Sequence, residues 1–98
     1  MALTAKQVVV LVGGVGGAKL AHGLAPDKLT IIVNTADDFW HYGLRVCPDL
    51  DTVMYTLGGL VDPAKGWGVN GDTFDMLDAL KRYGEGGWFG LGDRDMAT

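Results

Sequence analysis

At 98 residues, 48% apolar and 20% charged, the chain has room for one globular domain with a modest core and is too apolar to be disordered. A net charge of −4 without a basic stripe argues against nucleic acid as the main partner, because phosphate neutralisation needs clustered Lys and Arg. A lone cysteine, Cys47, excludes an intrachain disulfide and fits a reducing, cytoplasmic setting.

Residues 7–12, Gln-Val-Val-Val-Leu-Val, form a continuous aliphatic run. Such a run predicts a strand buried on both faces, as in a parallel sheet, and is far too short to span a membrane. It leads into glycines and a helix rather than a cleavage site, so it does not read as a signal peptide. Gly13 to Gly17 predict a tight loop, and residues 17–24 a short helix with Leu20 and Leu24 on one face. Pro26 and Asp27 turn the chain, and Leu29 to Val33 is a second buried-type strand. Strand, glycine loop, helix and strand make a right-handed βαβ unit. The fold class is therefore α/β. Two strands alone do not make a stable covered sheet, so the chain reads as part of something larger.

The polar stretch Asn34-Thr35-Ala36-Asp37-Asp38 follows the second strand, and residues 39–47 carry no clear pattern. Pro48 suits the first position of a helix. Leu50, Val53, Met54 and Leu57 recur at helical spacing, and Gly58-Gly59 supply the stop. Residues 60–71 read as a loop. A third helix is capped by Asp72 or Thr73. Asp75 and Asp78 lie early in it and Lys81 and Arg82 late, as the helix dipole favours. Phe74, Leu77, Leu80 and Tyr83 form its expected buried stripe.

The loop Gly13-Gly14-Val15-Gly16-Gly17-Ala18-Lys19 leaves unpaired amides at a helix start, where an anion is welcome. Gly13, Gly14, Gly16 and Gly17 allow a phosphate to approach the backbone, and Lys19 adds a charge. The loop breaks the dinucleotide fingerprint, with Lys19 in the third glycine's place, and Asn34 stands where a ribose-binding acid belongs. It also breaks the P-loop pattern, with Ala18 and Leu20 in the wrong places. A nicotinamide dehydrogenase is therefore disfavoured. Asp37 and Asp38 leave the second strand at the edge where open α/β sheets bind ligands, and such hard oxygens suit magnesium. On spacing alone, Asp49 and Asp51 read as residues of a first helical turn. Asp93-Arg94-Asp95 reads as a solvated ion-pair cluster or a functional loop. His41, between Trp40 and Tyr42, lies close to the carboxylates in sequence, although a lone histidine is more often structural. His22 reads as a packing or surface residue. Trp67, Trp88 and Phe89 read first as core residues, with stacking on a flat ring as the alternative. Cys47 reads as a packing residue, with Arg45 the one local hint of thiolate activation.

Taken together, Gly13 to Leu20, Val33 to Asp38, Gly43 to Thr52, Met54 to Gly59, Gly66-Trp67-Gly68 and Trp88 to Asp95 resemble the 2-phospho-L-lactate transferases. The likeness runs from about residue 7 to the end of the chain. It implies a Rossmann-like fold, of which this chain would be an incomplete N-terminal portion, inactive alone. It also implies transfer of a phospholactyl or phosphoenolpyruvyl group from a guanosine diphosphate diester donor to the ribityl hydroxyl of the deazaflavin Fo. Guanosine monophosphate would leave, Mg2+ would be needed, and the full-length protein would be a homodimer making coenzyme F-420. On this reading Asp37 and Asp51 hold the metal, with Asp38 and Asp49 as secondary candidates. Asp37 or Asp93 takes the acceptor proton, Arg94 braces the charge, and Asp38, Asp49 and His41 face the acceptor. The rival on the same fold is a non-catalytic nucleotide-sugar-binding regulator of the gluconeogenesis-factor type. It shares the glycine loop and the Asp-Asp loop but not the segment from Trp40 to Asp51.

Overall fold

A computed structural model of the chain describes residues 7–24 and 29–98. The expected turn at Pro26 and Asp27 lies outside the described residues. Strand β1, Val8–Val12, pairs in parallel with β2, Leu29–Val33, from Val8↔Leu29 to Val12↔Val33. Helix α1, Val15–His22, lies between them in sequence and begins two residues earlier than the glycine pattern suggests. Helix α2, Pro48–Leu57, packs beside it. The arrangement is α/β, a partial Rossmann-like fold, as expected.

The core explains the alternation along the strands. Val12, Ala18 and Val53 are buried together, with Val10, Ile31 and Val33 packed against them. One face of the sheet thus meets α1 and α2. The other carries Val9, Leu11 and Ile32, which are 62%, 76% and 54% exposed. The expected burial on both faces is therefore corrected: among the described residues, helices cover one face only. Gly17 lets α1 lie directly on β1, since a Cβ there would stand 2.6 Å from Val12 Cβ and force the two elements apart.

Residues 39–46, unreadable in the sequence, form an antiparallel hairpin. Strand β3, Phe39–His41, pairs with β4, Leu44–Val46. Tyr42 and Gly43 make its two-residue turn at φ 51° and 76°, the left-handed pair that a tight hairpin demands. Tyr42 Oη donates to the Gly86 carbonyl and anchors the turn to the C-terminal segment. Phe39 and His41 pack edge-on against Phe89, with ring centroids 5.0 and 6.0 Å away, and Trp88 completes the cluster. Phe89 is thus a half-buried packing residue, whereas the core placement expected of Trp88 and Trp67 is corrected: Trp88 touches the cluster from the surface and is 74% exposed, and Trp67 is 49% exposed.

Helix α2 begins at Pro48 and ends at Gly58, as its sequence indicates. Its buried face is different from the one expected. Thr52, Val53 and Tyr55 are buried, whereas Leu50, Met54 and Leu57 are each about two-fifths exposed. Val53 meets the sheet, and Tyr55 turns toward the C-terminal segment, where its hydroxyl donates to Asp95 Oδ1 at 2.6 Å.

Helix α3 runs Asp75–Arg82 and helix α4 Asp93–Ala97. Neither Asp72 nor Thr73 caps α3. Its first amides, on Asp75 and Met76, donate instead to the Asp93 carboxylate at 3.1 and 3.0 Å. Of the expected stripe only Leu77 is buried, while Tyr83 is 85% exposed. The charge order along α3 stands, but little of the described chain covers its apolar face.

Candidate functional site

Parallel pairing brings the two loops out at the same edge. Val12 and Val33 are register partners, so Gly13 and Asn34 leave the sheet side by side, and the Asn34 amide donates to the Val12 carbonyl at 2.9 Å. Gly14 caps α1 without a side-chain hydrogen bond. The amides that open the helix therefore point past the sheet edge with no capping group of their own.

Asp49, in the first turn of α2, joins both loops. Its Oδ2 accepts from Asn34 Nδ2 at 2.9 Å. Its Oδ1 stands so near the glycine loop that a Cβ on Gly14 would lie 3.2 Å from it. The structure thus brings Gly14, Asn34 and Asp49 together. Gly13 and Gly16 face open space and Lys19 is exposed. Asn34 Oδ1 accepts from the Ala36 amide at 3.2 Å, which turns the chain toward Asp37 and Asp38.

Asp37 is exposed, but Asp38 points inward. The Asp38 side chain is 7% exposed, its Oδ2 lies 3.8 Å from Arg45 Nη2, and its Oδ1 has no hydrogen-bond partner. Asp51, one helical turn before Tyr55, is half-buried. Burial, then the charge of Asp95, then that of Asp38 push its carboxyl up to about 6. Burial and the bond to Asp95 also raise the Tyr55 hydroxyl above its usual range. Asp38, Asp51 and Asp95 therefore form a crowded acidic group with Arg45 at its margin. Cys47 belongs to the same neighbourhood, where burial and then Asp38 raise its thiol. Arg45 opposes that shift without reversing it, so thiolate activation is not what the site provides.

Three cavities open around this group. One of about 250 Å3 is lined by Pro48, Asp51, Tyr55, Trp67, Phe89 and Asp95. A second, of about 360 Å3, has Arg45, Cys47, Leu50, Met54 and Asp95 on its wall. The third, of about 180 Å3, includes Asp62, Lys65, Trp67, Asp72 and Asp95. Asp95 borders all three. Tyr55 and Asn34 are functional candidates to which the sequence assigned no role, and Asp95, read there only as part of the Asp93-Arg94-Asp95 cluster, joins them. The i, i+4 spacing of Asp51 and Tyr55 on one helix was the available signal for Tyr55.

Two expected site residues have other work. The Asp93 carboxylate accepts from Thr73 Oγ1 at 2.6 Å and from the Asp75 and Met76 amides. These donors, the Thr73 hydroxyl first, hold its pKa below the usual carboxylate range, which suits a helix cap and not a proton acceptor. His41 is 6% exposed, its Nε2 has no partner, and its ring is enclosed by Phe39, Tyr42, Trp88 and Phe89. Arg94 is exposed.

Among the described residues, no three His, Cys, Asp or Glu side chains are arranged to hold a metal ion by themselves. A centre of one or two carboxylates completed by phosphate oxygens is the form that magnesium commonly takes. Among the same residues, no helix is long and apolar enough to cross a membrane.

The family model described as 2-phospho-L-lactate transferase CofD matches residues 8–98. The phosphoenolpyruvate transferase of Streptomyces griseus is 57% identical over 97 residues, covering 94% of this chain and 30% of the relative. That of Nocardia farcinica is 54% identical, covering 97% of this chain and 30% of the relative. That of Mycolicibacterium smegmatis is 48% identical, covering 94% and 32%. The chain thus spans roughly a third of the length of these relatives. With a family match across both strands, the glycine loop and the acidic group, the chain belongs to the 2-phospho-L-lactate transferase CofD family.

Proposed function

We propose that this chain supplies the donor-phosphate and metal-binding part of a transferase in coenzyme F-420 biosynthesis. The enzyme moves a phosphoenolpyruvyl group from a guanosine diphosphate diester to the ribityl hydroxyl of the deazaflavin Fo and releases guanosine monophosphate. The observation that carries this reading is the convergence of Gly14, Asn34 and Asp49 at one sheet edge. The relatives named above, 48% to 57% identical, bear the name phosphoenolpyruvate transferase, which favours the enolpyruvyl over the lactyl donor. The active form is read as a cytoplasmic homodimer, on the family resemblance.

Transfer at phosphorus asks the protein mainly for positioning and charge neutralisation. The amides at the start of α1 hold the donor diphosphate, Gly13, Gly14, Gly16 and Gly17 give it access, and Lys19 adds a cation. Asp49 beside that loop would repel a phosphate unless a cation stood between them, and the crowding of Asp38, Asp51 and Asp95 asks for the same relief. The fit to Mg2+ rests on those two features. Asp37 and Asp51 would hold the ion, with Asp38 behind them. When bound it supplies charge for the diphosphate and lowers the cost of the developing negative charge.

Of the two candidate bases, Asp37 is preferred over Asp93. Asp37 is exposed, whereas the oxygens of Asp93 already accept three donors. Arg94 is exposed and available to brace the transferred group. Asp49 lies with the donor phosphates rather than the acceptor, and His41 orders the aromatic cluster rather than touching a ligand. The cavity of about 250 Å3 beside Trp67 and Phe89 offers the acceptor ring an apolar wall.

The test is Asp37→Asn in the full product of the reading frame that carries this sequence, assayed for guanosine monophosphate release with Fo. A fall of roughly a hundredfold or more in kcat is expected if Asp37 serves the acceptor proton. Wild-type turnover at ordinary magnesium would remove Asp37 from the mechanism.

A further inference from the structure

Helices α3 and α4 start beside one another, and each borrows its cap from the other's approach. Asp93, the first residue of α4, caps α3 through the Asp75 and Met76 amides. Asp72, three residues before α3, caps α4: its Oδ1 accepts from the Arg94 amide at 2.8 Å, and its Oδ2 from the Asp95 amide at 3.1 Å. The Asp93 amide donates to the Thr73 carbonyl at 2.7 Å, and Thr73 Oγ1 returns a bond to Asp93 Oδ2 at 2.6 Å. Residues 72–76 and 92–95 are thereby clasped by six hydrogen bonds running in both directions.

A helix is most often capped by its own N-cap residue, where Ser, Thr, Asp or Asn serves. Here the N-cap position of α4 holds Gly92, and the capping carboxylate comes from 22 residues away. Gly92 is required by that arrangement: its φ of −75° is open to any residue, but a Cβ there would overlap Asp72 Oδ2. What the clasp adds beyond a cap is a fixed position for the start of α4.

The residue held there is Asp95. Asp72 ties its backbone, Tyr55 Oη ties its carboxylate at 2.6 Å, and all three cavities border it. We infer that Asp72 is a positioning residue of the transferase, fixing Asp95 between Tyr55 and Asp51 at the wall of the reaction site. The inference rests on the transferase reading, and its signature is a loss in turnover rather than in donor binding, because the glycine loop lies on other elements.

The experiment is steady-state kinetics of the full reading-frame product with Fo and the guanosine diphosphate diester, for wild type, Asp72→Ala, Asp72→Asn, Tyr55→Phe and the Asp72→Ala/Tyr55→Phe pair. Asp72→Ala should lower kcat roughly tenfold or more while donor KM stays within about twofold. Asp72→Asn, which keeps one acceptor oxygen, should recover part of the loss. The pair should be no slower than the slower single variant, because both act through Asp95. If Asp72→Ala does not fold, Asp72→Asn carries the test alone, lower kcat at unchanged KM supporting the inference and wild-type kcat overturning it. Wild-type kcat in folded Asp72→Ala, or fully multiplicative losses in the pair, overturns the inference and leaves the transferase reading intact. A wild-type protein that does not turn over overturns that reading and the inference with it.

Discussion

The Tyr55 hydroxyl donates to Asp95 Oδ1 at 2.6 Å, across 40 residues of sequence. That bond joins α2, which lies against the sheet, to α4, which ends the described chain. It brings the acidic C-terminal motif alongside Asp51, one helical turn before Tyr55.

Tyr55→Phe removes the donor and leaves a carboxylate oxygen without its partner. The expected loss is about 1–2 kcal/mol, since hydrogen bonds to charged groups exceed neutral ones. Urea denaturation of wild type and variant at neutral pH measures it.

The raised carboxyl of Asp51, about 6, gives stability a pH dependence of definite sign. Between its unfolded value near 3.9 and about 6, the folded protein binds the extra proton. Asp51 therefore favours folding below the lower value, and that contribution is lost as pH rises through the upper one. Because the group is only partly buried, solvent screening reduces the effect to on the order of 1 kcal/mol. Melting temperatures from pH 4 to pH 7 without divalent ions should fall by more in wild type than in Asp51→Asn. Asp95→Asn should lower the midpoint of that fall.

Two glycines in one loop should fail differently. Gly17→Ala drives a Cβ to 2.6 Å from Val12 Cβ, an overpacking expected to destabilise by roughly 1–3 kcal/mol. Gly14→Ala meets only Asp49 Oδ1, at 3.2 Å, the end of a side chain and not a packed backbone. By crowding the open amides and shifting Asp49, it should raise donor KM roughly tenfold or more. Thermal melts and donor-dependent kinetics on both variants separate the two effects.

Cys47→Ser should keep turnover within about twofold of wild type. Burial and Asp38 raise the thiol, and a thiol is a poor nucleophile while it stays protonated. Turnover after treatment with a thiol-blocking reagent is the wrong measure, because the reagent's bulk would fill the cavity that Cys47 borders. The substitution itself is the right one.

Strands β1 and β2 were legible because their aliphatic runs are short, pure and bounded by loop residues. Pro48 and Gly58 marked α2 because each has a local backbone reason for its place. The hairpin at 39–46 was hidden because its turn puts Tyr42 in the left-handed region, which a tyrosine does not advertise. The caps of α3 and α4 were hidden for a different reason. Asp72 and Asp93 have the right chemistry, but each serves the helix the other precedes, and sequence spacing carries no sign of that exchange. Half of the site was legible in the same sense. The glycine loop and Asp37-Asp38 follow from strand order, whereas the meeting of Asp51 with Asp95 depends on a contact between distant segments.

The most direct measurement is a crystal structure of the full reading-frame product with GDP and Mg2+. The diphosphate is expected within hydrogen-bond distance of the amides that open α1, with the ion between it and the aspartates that follow β2 and begin α2. A nucleotide seated at the opposite end of the β1–β2 sheet, away from Gly14 and Asp49, would contradict that arrangement.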